Sequence, residues 1–328
     1  MLSNVATADK NIYQSAQVHL LDCSTFKQEG TNGKEIRLHL DYNLSLGAMG
    51  EVKLTDKYTA ESVQSFTIKS GHIYLADAGY GTGNNLDQIV SRGAQALFRA
   101  SPNCIRLSSD KFGGAKINMA EKLDTKKNIL DFPCYIHTSA GNYIPVRLIA
   151  SRLPEDKVML AKERKKRIAS RKQQKLKKET LVYAEWVILI TSLDTSFTAE
   201  FLLEMYRSRW QIELLFKRIK QFFKVTKLRK ATLEHSKALV MVWLIIFAMA
   251  ERRTIAAEIH MISKELDTSF YSHWLVIDFF LRQFHATINA LWAYCFDVET
   301  HIFSVLLRLQ NHKSKRRSQY SSFHFAAY

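Results

Sequence analysis

The sequence predicts an α/β protein built on a mixed sheet, with a β-rich insertion and helices towards its C-terminus. Three patterns predict this class. Short apolar or alternating runs separated by turns fill the first hundred residues. A strand, a short helix and a further strand then follow one another, which indicates a crossover in the sheet. From Glu234 onward the pattern is largely helical. A chain of 328 residues with 47% hydrophobic content can bury a substantial core.

The first part of the predicted core covers residues 1–101 and contains five strands. A helix over Asn85 to Gly93, ended by the glycine, connects the last two. Asp22 and Asp77 are expected to stand where the first and fourth strands end. The five strands are predicted in the runs "AQVHLLDCSTF", "EIRLHLDYNLS", "GEVKLTD", "HIYLADAGYGTG" and "AQALFRA".

Residues 102–185 are predicted to form the β-rich insertion, and they end in a basic helix. The segment "AKERKKRIASRKQQKLKKE", residues 161–179, contains ten Lys or Arg and two Glu, with no Gly or Pro. Two interpretations stay open for it. It is either a solvated, exposed helix or a helix that binds phosphate groups, whose affinity would fall steeply with salt.

The last part of the core is predicted over residues 186–232, with the buried strand "WVILITS" and then one long helix from Asp194 to Phe223. Residues 233–310 are predicted to be helical, and 311–328 to be a disordered basic tail. The apolar run "ALVMVWLIIFAMA", residues 238–250, is shorter than a bilayer requires, so a buried helix and no membrane contact are expected.

The net charge indicates the class of partner, and the cysteines indicate the cellular setting. The net charge of +16 and the pI near 9.6 favour a polyanionic partner, with nucleic acid first. Four cysteines stand without CxxC spacing, which indicates neither a zinc site nor a disulfide framework. We therefore expect a reducing, cytoplasmic setting.

The segment "EMYRSRWQIELLFKRIKQFF" carries a polar stripe beside its apolar face. At 100° per residue, Tyr206, Arg209, Glu213 and Lys220 lie within about 60° of one another. Helical ion pairs such as Arg209 with Glu213 are common and are worth only tenths of a kcal/mol. The stripe as a whole is better explained by a carboxylate that holds a divalent metal beside cations that hold phosphate oxygens.

This spacing resembles the YREK signature of bacterial DDE transposases of the insertion-sequence-four family. The resemblance implies a ribonuclease H-like core, in which two Asp on neighbouring strands join the helical Glu. By resemblance, Asp22, Asp77 and Glu213 would be the catalytic residues and would bind two Mg²⁺ ions, with Mn²⁺ as a substitute. Tyr206, Arg209 and Lys220 would grip DNA phosphates near the cleaved bond.

Several residues compete with these assignments. Asp41, Asp56, Asp87 and Asp131 are rivals by residue type, although Asp56 better suits a cap or turn.

Two further expectations concern contacts with DNA bases and with the DNA backbone. Trp186 is similar in position to a family tryptophan that stacks on a flipped base, or else it simply packs at a strand end. The glycines of "AGYGTG" are expected to let a DNA backbone approach closely.

The function implied by the resemblance is cut-and-paste transposition of an insertion sequence by DNA cleavage and strand transfer. The DNA partners would be transposon ends and target DNA, and the synapsis of two ends implies a homodimer. Family members usually carry a helical recognition domain before the first Asp, whereas 21 residues precede Asp22 here, so we expect that module to be missing or supplied elsewhere. The alternatives are an inactive transposase remnant that binds DNA or inhibits by mixed dimerisation, and a nuclease without strand transfer.

Overall fold

The computed structural model describes residues 17–28, 35–112, 114–123, 125–223, 228, 231–264 and 273–295. Nine strands in this part of the chain form one mixed sheet in the order β3-β2-β1-β4-β5-β9-β8-β7-β6. The strands are β1 (Val18–Lys27), β2 (Glu35–Asn43), β3 (Ala48–Asp56), β4 (Ile73–Ala76), β5 (Gln95–Arg99), β6 (Leu107–Ser108), β7 (Ile129–His137), β8 (Tyr143–Arg152) and β9 (Trp186–Thr191).

Eight α-helices accompany the sheet in the described residues. Four begin with a side-chain cap, because side-chain oxygens of Thr82, Asn118, Thr198 and Thr232 accept hydrogen bonds from backbone N–H groups of the first turn. The helices are α1 (Gly83–Val90), α2 (Met119–Leu123), α3 (Glu155–Arg171), α4 (Lys178–Tyr183), α5 (Ala199–Arg207), α6 (Trp210–Phe222), α7 (Leu233–Ser263) and α8 (His273–Cys295).

The predicted first half of the core is confirmed in its order of elements. β1 pairs antiparallel with β2 and parallel with β4, and β4 pairs parallel with β5 through the α1 crossover. Gly93 follows α1 in the left-handed region at φ +73°, as expected of a glycine that ends a helix. The sheet is mixed, and the whole is consistent with a ribonuclease H-like core.

The β-rich insertion does not form a sheet of its own. β8 pairs antiparallel with β9 over Arg147–Arg152, and β7 pairs with β8 along its full length. The predicted insertion therefore extends the central sheet. Its alternating strands can be read from the sequence, but their pairing with β9 is a non-local contact that the alternation does not encode.

Both faces of the central strands are covered. On one face Leu21, Tyr74, Ala76 and Phe98 belong to a buried apolar cluster that includes α1 residues. On the other face α6 packs on β1 and α5 packs on β5. The buried side chains of these two helices are Ala199, Leu202, Met205, Ile212, Leu215, Phe216 and Ile219.

The prediction of one helix from Asp194 to Phe223 is wrong, because α5 ends at Arg207 and α6 begins at Trp210. At the break, the backbone bonds tighten to the i→i+3 pattern, with Ser208 N donating to Met205 O and Arg209 N donating to Tyr206 O, each at 3.1 Å. The Ser208 hydroxyl also donates to the Met205 carbonyl at 2.6 Å, which competes with the regular helical bond.

The basic segment 161–179 is likewise two helices instead of one. α3 ends at Arg171, and Gln173 adopts a positive φ of 50° before α4 begins at Lys178. A non-Gly residue in the left-handed region cannot continue a right-handed helix, so the chain turns there. The Lys and Arg side chains between these points are mostly exposed.

The chain divides into two compact units, residues 1–252 and 253–328. The apolar run in the first unit is not fully buried, which corrects the expectation of a buried helix. Val240, Leu244 and Phe247 are buried, but Val242, Ile245 and Met249 are more than half exposed. Buried and exposed residues alternate along α7, so the apolar run has one buried face and one exposed face, and both faces are apolar.

The apolar helix is also longer than the run on which the expectation of no membrane contact rested. The run of 13 residues lies inside a longer helix, and its section Leu233–Ala257 is long and apolar enough to cross a bilayer by length and composition. Core helices of soluble proteins pass the same test. The predicted tail at 311–328 lies outside the described residues, as does part of 233–310.

Candidate active site

Asp22 and Asp77 lie side by side at one edge of the sheet. The parallel pairing of β1 with β4 ends at Leu21 opposite Ala76, so each Asp is the next residue beyond that pairing. Asp77 follows the end of β4, as predicted. Asp22 lies inside β1, because its antiparallel partner Leu40 on β2 continues the ladder.

The signature helix brings Glu213 to the same edge through Arg209. One guanidinium nitrogen of Arg209 lies 2.5 Å from Glu213 Oε1, and the other lies 3.7 Å from Asp22 Oδ2. Only 12% of the Arg209 side chain is exposed. A single cation therefore connects the carboxylate of β1 with the carboxylate of α6, and this group assembles despite the break in the helix.

Two further groups surround Asp77. The Tyr206 hydroxyl donates a long hydrogen bond of 3.4 Å to Asp77 Oδ1, and its ring lies 5.8 Å from the Arg209 guanidinium carbon. Arg99, at the end of β5, places Nη1 4.0 Å from the same Asp77 oxygen. Each of the two strand carboxylates thus has a cation or a donor beside it.

Lys220 lies at the other end of a groove between β1 and α6. Its ammonium donates to Ser24 Oγ at 2.7 Å and to the Thr25 carbonyl at 3.2 Å. Burial lowers the pKa of Lys220. The groove has a volume of about 820 Å³ and is lined by residues 22–26 of β1 and by Glu213, Phe216, Lys217, Lys220 and Gln221 of α6.

Burial is the main cause of the raised pKa values of Asp22, Cys23 and Tyr206 at this edge of the sheet. It raises the pKa of Asp22 to about 6, although the Cys23 N–H and Arg209 act in the opposite direction. The charges of Asp77 and Glu61 raise the Asp22 pKa further. Burial also raises the pKa of the Cys23 thiol to about 12 and raises that of Tyr206. Asp22 is therefore a carboxylate whose ionised form needs a nearby cation.

The donor set fits a hard divalent cation, since the three acidic groups offer only oxygen atoms. In the described residues no group of three or more His, Cys, Asp or Glu side chains is close enough to hold a metal ion as it stands. Arg209 provides the positive charge between Asp22 and Glu213 in this arrangement. Asp22, Asp77 and Glu213 are the residues that would hold a metal here.

The rival Asp residues have other structural roles. Asp41 pairs with the buried His19 at 2.8 Å, and Asp131 pairs with Arg147 at 2.5 Å. Asp56 accepts hydrogen bonds from the backbone of Tyr58 and Thr59, so it organises a turn as predicted. Asp87 lies within α1.

The glycines after Asp77 have a different role from the one expected. A Cβ on Gly81 would collide with the Arg99 carbonyl, and a Cβ on Gly83 with the His137 carbonyl. These glycines therefore let the chain's own backbone pack closely, which corrects the prediction that they leave space for a DNA backbone.

Trp186 is not brought into the group of charged residues. It begins β9 at the same edge of the sheet, but it is only 4% exposed and belongs to the buried apolar cluster. This position agrees with the interpretation of a tryptophan packed at a strand end. Its stacking on a flipped base stays a prediction.

Sequence reasoning missed two charged residues at this edge. Arg99 ends "AQALFRA", and the argument from strand ends that selected Asp77 would have selected it too. Glu61 had no sequence signal. Its carboxylate lies 2.5 Å from where a Cβ of Gly79 would stand, and it contributes to the raised pKa of Asp22. The Asp56 turn and a bond from Arg37 to the Thr59 carbonyl fix the loop that carries it.

A mixed sheet with paired carboxylates at one edge and a third on a packed helix defines the class of ribonuclease H-like nucleic-acid enzymes. Residues 36–249 match the family described as "Transposase DDE domain". The chain is 31% identical over 229 residues to the putative transposase InsL for insertion sequence element IS186A of Escherichia coli (strain K12), and equally to the transposase for insertion sequence element IS421 of Escherichia coli. The alignments cover 68% of this chain.

The chain therefore belongs to the DDE transposase family, as the spacing of Tyr206, Arg209, Glu213 and Lys220 predicted. It spans 62% of the length of these curated relatives.

Proposed function

We propose that this protein is a DNA transposase that cleaves and joins the strands of an insertion sequence in a metal-dependent cut-and-paste reaction. The observation that carries the proposal is the meeting of Asp22 and Asp77, from parallel neighbouring strands, with Glu213 through the shared Arg209. A simple helical ion pair between Arg209 and Glu213 would not explain why the mostly buried carboxylate of Asp22, on a strand beside the helix, lies next to the same arginine.

Asp22, Asp77 and Glu213 would hold two Mg²⁺ ions, with Mn²⁺ as a substitute. When bound, such ions activate a water or a DNA 3′-hydroxyl and stabilise the leaving oxygen of a phosphoryl transfer. The raised pKa of Asp22 supports this assignment, because a divalent cation offsets the cost of a desolvated carboxylate.

The neighbouring cations would position the DNA strand. Arg209 faces Asp22 and Glu213 in this arrangement, and its planar fork would suit two phosphate oxygens once a metal took its place between those carboxylates. Tyr206 holds a hydroxyl beside Asp77. Lys220 offers a point charge further along the groove. Arg99 adds a fourth polar group next to Asp77, with about half of its side chain exposed. Together these residues would fix a phosphate within reach of the carboxylates.

The DNA partners proposed are the element ends and the target, and joining two ends calls for a homodimer. The strongly basic chain supports a polyanionic partner. We place its action at the bacterial nucleoid.

The test is nicking of supercoiled plasmid by the purified chain with Mg²⁺ or Mn²⁺. Glu213→Gln is the matched variant, because it keeps the shape and a hydrogen-bonding oxygen but removes the charge. We expect nicking that is lost in Glu213→Gln and in the presence of a chelator. DNA binding without cleavage would contradict the proposal and favour a DNA-binding remnant, and cleavage without joining of strands would favour a nuclease.

A further inference from the structure

We propose that three exposed arginines on α3, Arg164, Arg167 and Arg171, form a second DNA-contacting surface that binds backbone phosphates of the duplex being cleaved. We call these three residues the arginine row. The inference rests on the proposed function, since it assigns a place to the DNA that flanks the reacting bond.

The topology places α3 at the edge of the sheet that carries the carboxylates. Phe98 is level with Ala76 on one side and with Ile190 on the other, and Ile190 is level with Leu148. β8 therefore runs parallel to β4 and ends at the same edge. The chain leaves the sheet there at Arg152, forms α3 and α4, and returns at the same edge through Trp186, the partner of Arg152.

The strand that leads into α3 ends within reach of a duplex bound at the carboxylates. β8 lies three strand positions from β4 and four from β1. At about 4.8 Å per strand the lateral separation of these strands is roughly 14 to 19 Å, which a duplex rising about 3.4 Å per base pair covers in roughly four to six base pairs. The row itself stands a further 9 to 16 residues along α3 from Glu155, or about 14 to 24 Å, so a contact with it calls for a longer duplex, on the order of one helical turn.

The geometry of the row suits a phosphate backbone. Its members stand at intervals of three and four residues, so they share one side of the helix within about 60° and extend over about 10 Å. All three are exposed. Among the described residues none has a recorded hydrogen bond or ion pair with any of the three. By contrast, Lys162 on the inward side of α3 is held by Glu185 at 2.6 Å.

The row is also embedded in further positive charge. Lys165 and Lys166 lie between its members, and Glu163 is the acidic residue nearest in sequence. An exposed arginine without a carboxylate partner keeps its full guanidinium fork available for a phosphate. Contacts of this kind hold DNA without reading its sequence.

A membrane surface fits the helix less well. On a scale that sets Arg164 at 0°, the exposed apolar side chains Met159, Leu160 and Ile168 lie at about 220°, 320° and 40°. They form no apolar face separate from the arginines, as an interfacial helix would require. We therefore assign the row to DNA.

The experiment measures DNA affinity across a range of salt for two variants of the full chain with equal loss of charge. Arg164→Gln with Arg167→Gln removes two charges from the row. Lys69→Gln with Arg92→Gln removes two exposed charges from loops that precede β4 and β5, at the opposite edge of the sheet. Exposed substitutions of this kind change the free energy of unfolding by about 0.5 kcal/mol or less, which urea unfolding checks.

Sequencing of the DNA around the gene first identifies the element's terminal repeat. Each variant is then titrated against an unrelated duplex and against a duplex that carries this repeat. For the row variant we expect the slope of log affinity against log salt to fall in magnitude by about 1.8, or about 0.9 per lost phosphate contact. Affinity at about 0.1 M salt should fall on the order of tenfold on both duplexes. The control should match the wild type, and plasmid nicking by the row variant should persist at saturating protein.

Equal slopes for the row variant and the control would overturn the inference. A loss confined to the unrelated duplex would also overturn it, because the row would then serve target DNA alone. Row-dependent binding to anionic phospholipid vesicles without an effect on DNA would likewise overturn it. These outcomes leave the proposed function standing if the wild type still nicks plasmid in a Glu213-dependent way, whereas a wild type that neither binds nor nicks DNA refutes the proposed function itself.

Discussion

Asp22→Asn should stabilise the metal-free protein at neutral pH while it removes activity. Asp22 is a mostly buried carboxylate, with 18% of its side chain exposed, and its pKa is raised from 3.8 to about 6. The asparagine keeps an oxygen that can accept the Cys23 N–H bond at 2.8 Å. The substitution therefore removes mainly the desolvated charge.

The sign follows from the number of protons bound in each state. Between pH 4 and 6 the folded protein keeps the Asp22 proton that the unfolded chain has lost, so the free energy of unfolding falls as the pH rises through this window. A pKa difference of about two units, at 1.36 kcal/mol per unit, limits the gain in the free energy of unfolding to about 3 kcal/mol. Partial exposure and relaxation reduce this, and we expect about 1 to 3 kcal/mol above pH 6.5.

The assay is urea unfolding of wild type and variant with a chelator, from pH 4 to pH 8. The stability gained by Asp22→Asn should be near zero at pH 4 and should reach its full value by pH 7. Asp77→Asn is the control, and it should gain less because 44% of the Asp77 side chain is exposed. A difference that does not change with pH, or a variant less stable than the wild type at pH 8, would refute the reasoning.

Three further predictions concern other buried charges and metal binding. Burial raises the Glu251 pKa to about 7, so Glu251→Gln should raise the free energy of unfolding by about 1 to 3 kcal/mol above pH 7 and leave it unchanged below pH 4.5. Urea unfolding at both pH values measures this difference. Arg147→Met should cost about 2 to 4 kcal/mol by urea unfolding, because it removes the donor from the carbonyls of Asp194 and Phe197, and adding Asp131→Leu should recover little of that loss because Asp131 is exposed. Mg²⁺ should raise the melting temperature of the wild type but not of Glu213→Gln, and equal shifts in a calorimeter would contradict this.

The strands and the helix that carry the candidate site were predictable because their signals are local. The alternation in "EIRLHLDYNLS" and the buried run before Asp77 set strand positions with little error. The YREK spacing selected Glu213 and its cationic neighbours. These patterns depend only on residues close in sequence.

The remainder depended on contacts between distant segments. The register that sets Asp22 beside Asp77 follows from parallel pairing across 55 positions, and the pairing of β8 with β9 follows from no local pattern. The break at Ser208 arose from a side-chain bond to the Met205 carbonyl within a sequence of good helix formers. Glu61 lies near the site because hydrogen bonds of Arg37 and Asp56 to Thr59 hold the loop that carries it.

The central claim is that Asp22, Asp77 and Glu213 surround one metal site, and oxidative cleavage by bound Fe²⁺ tests it most directly. Fe²⁺ takes carboxylate sites of this kind, and with added hydrogen peroxide as oxidant and ascorbate to reduce the Fe³⁺ formed, the hydroxyl radicals produced there cut the polypeptide nearby. We predict cuts close to residues 22, 77 and 213 together, suppressed by excess Mg²⁺ and greatly reduced in Glu213→Gln. Cuts near only one of the three positions, or a pattern unchanged by Mg²⁺ and by Glu213→Gln, would contradict the account.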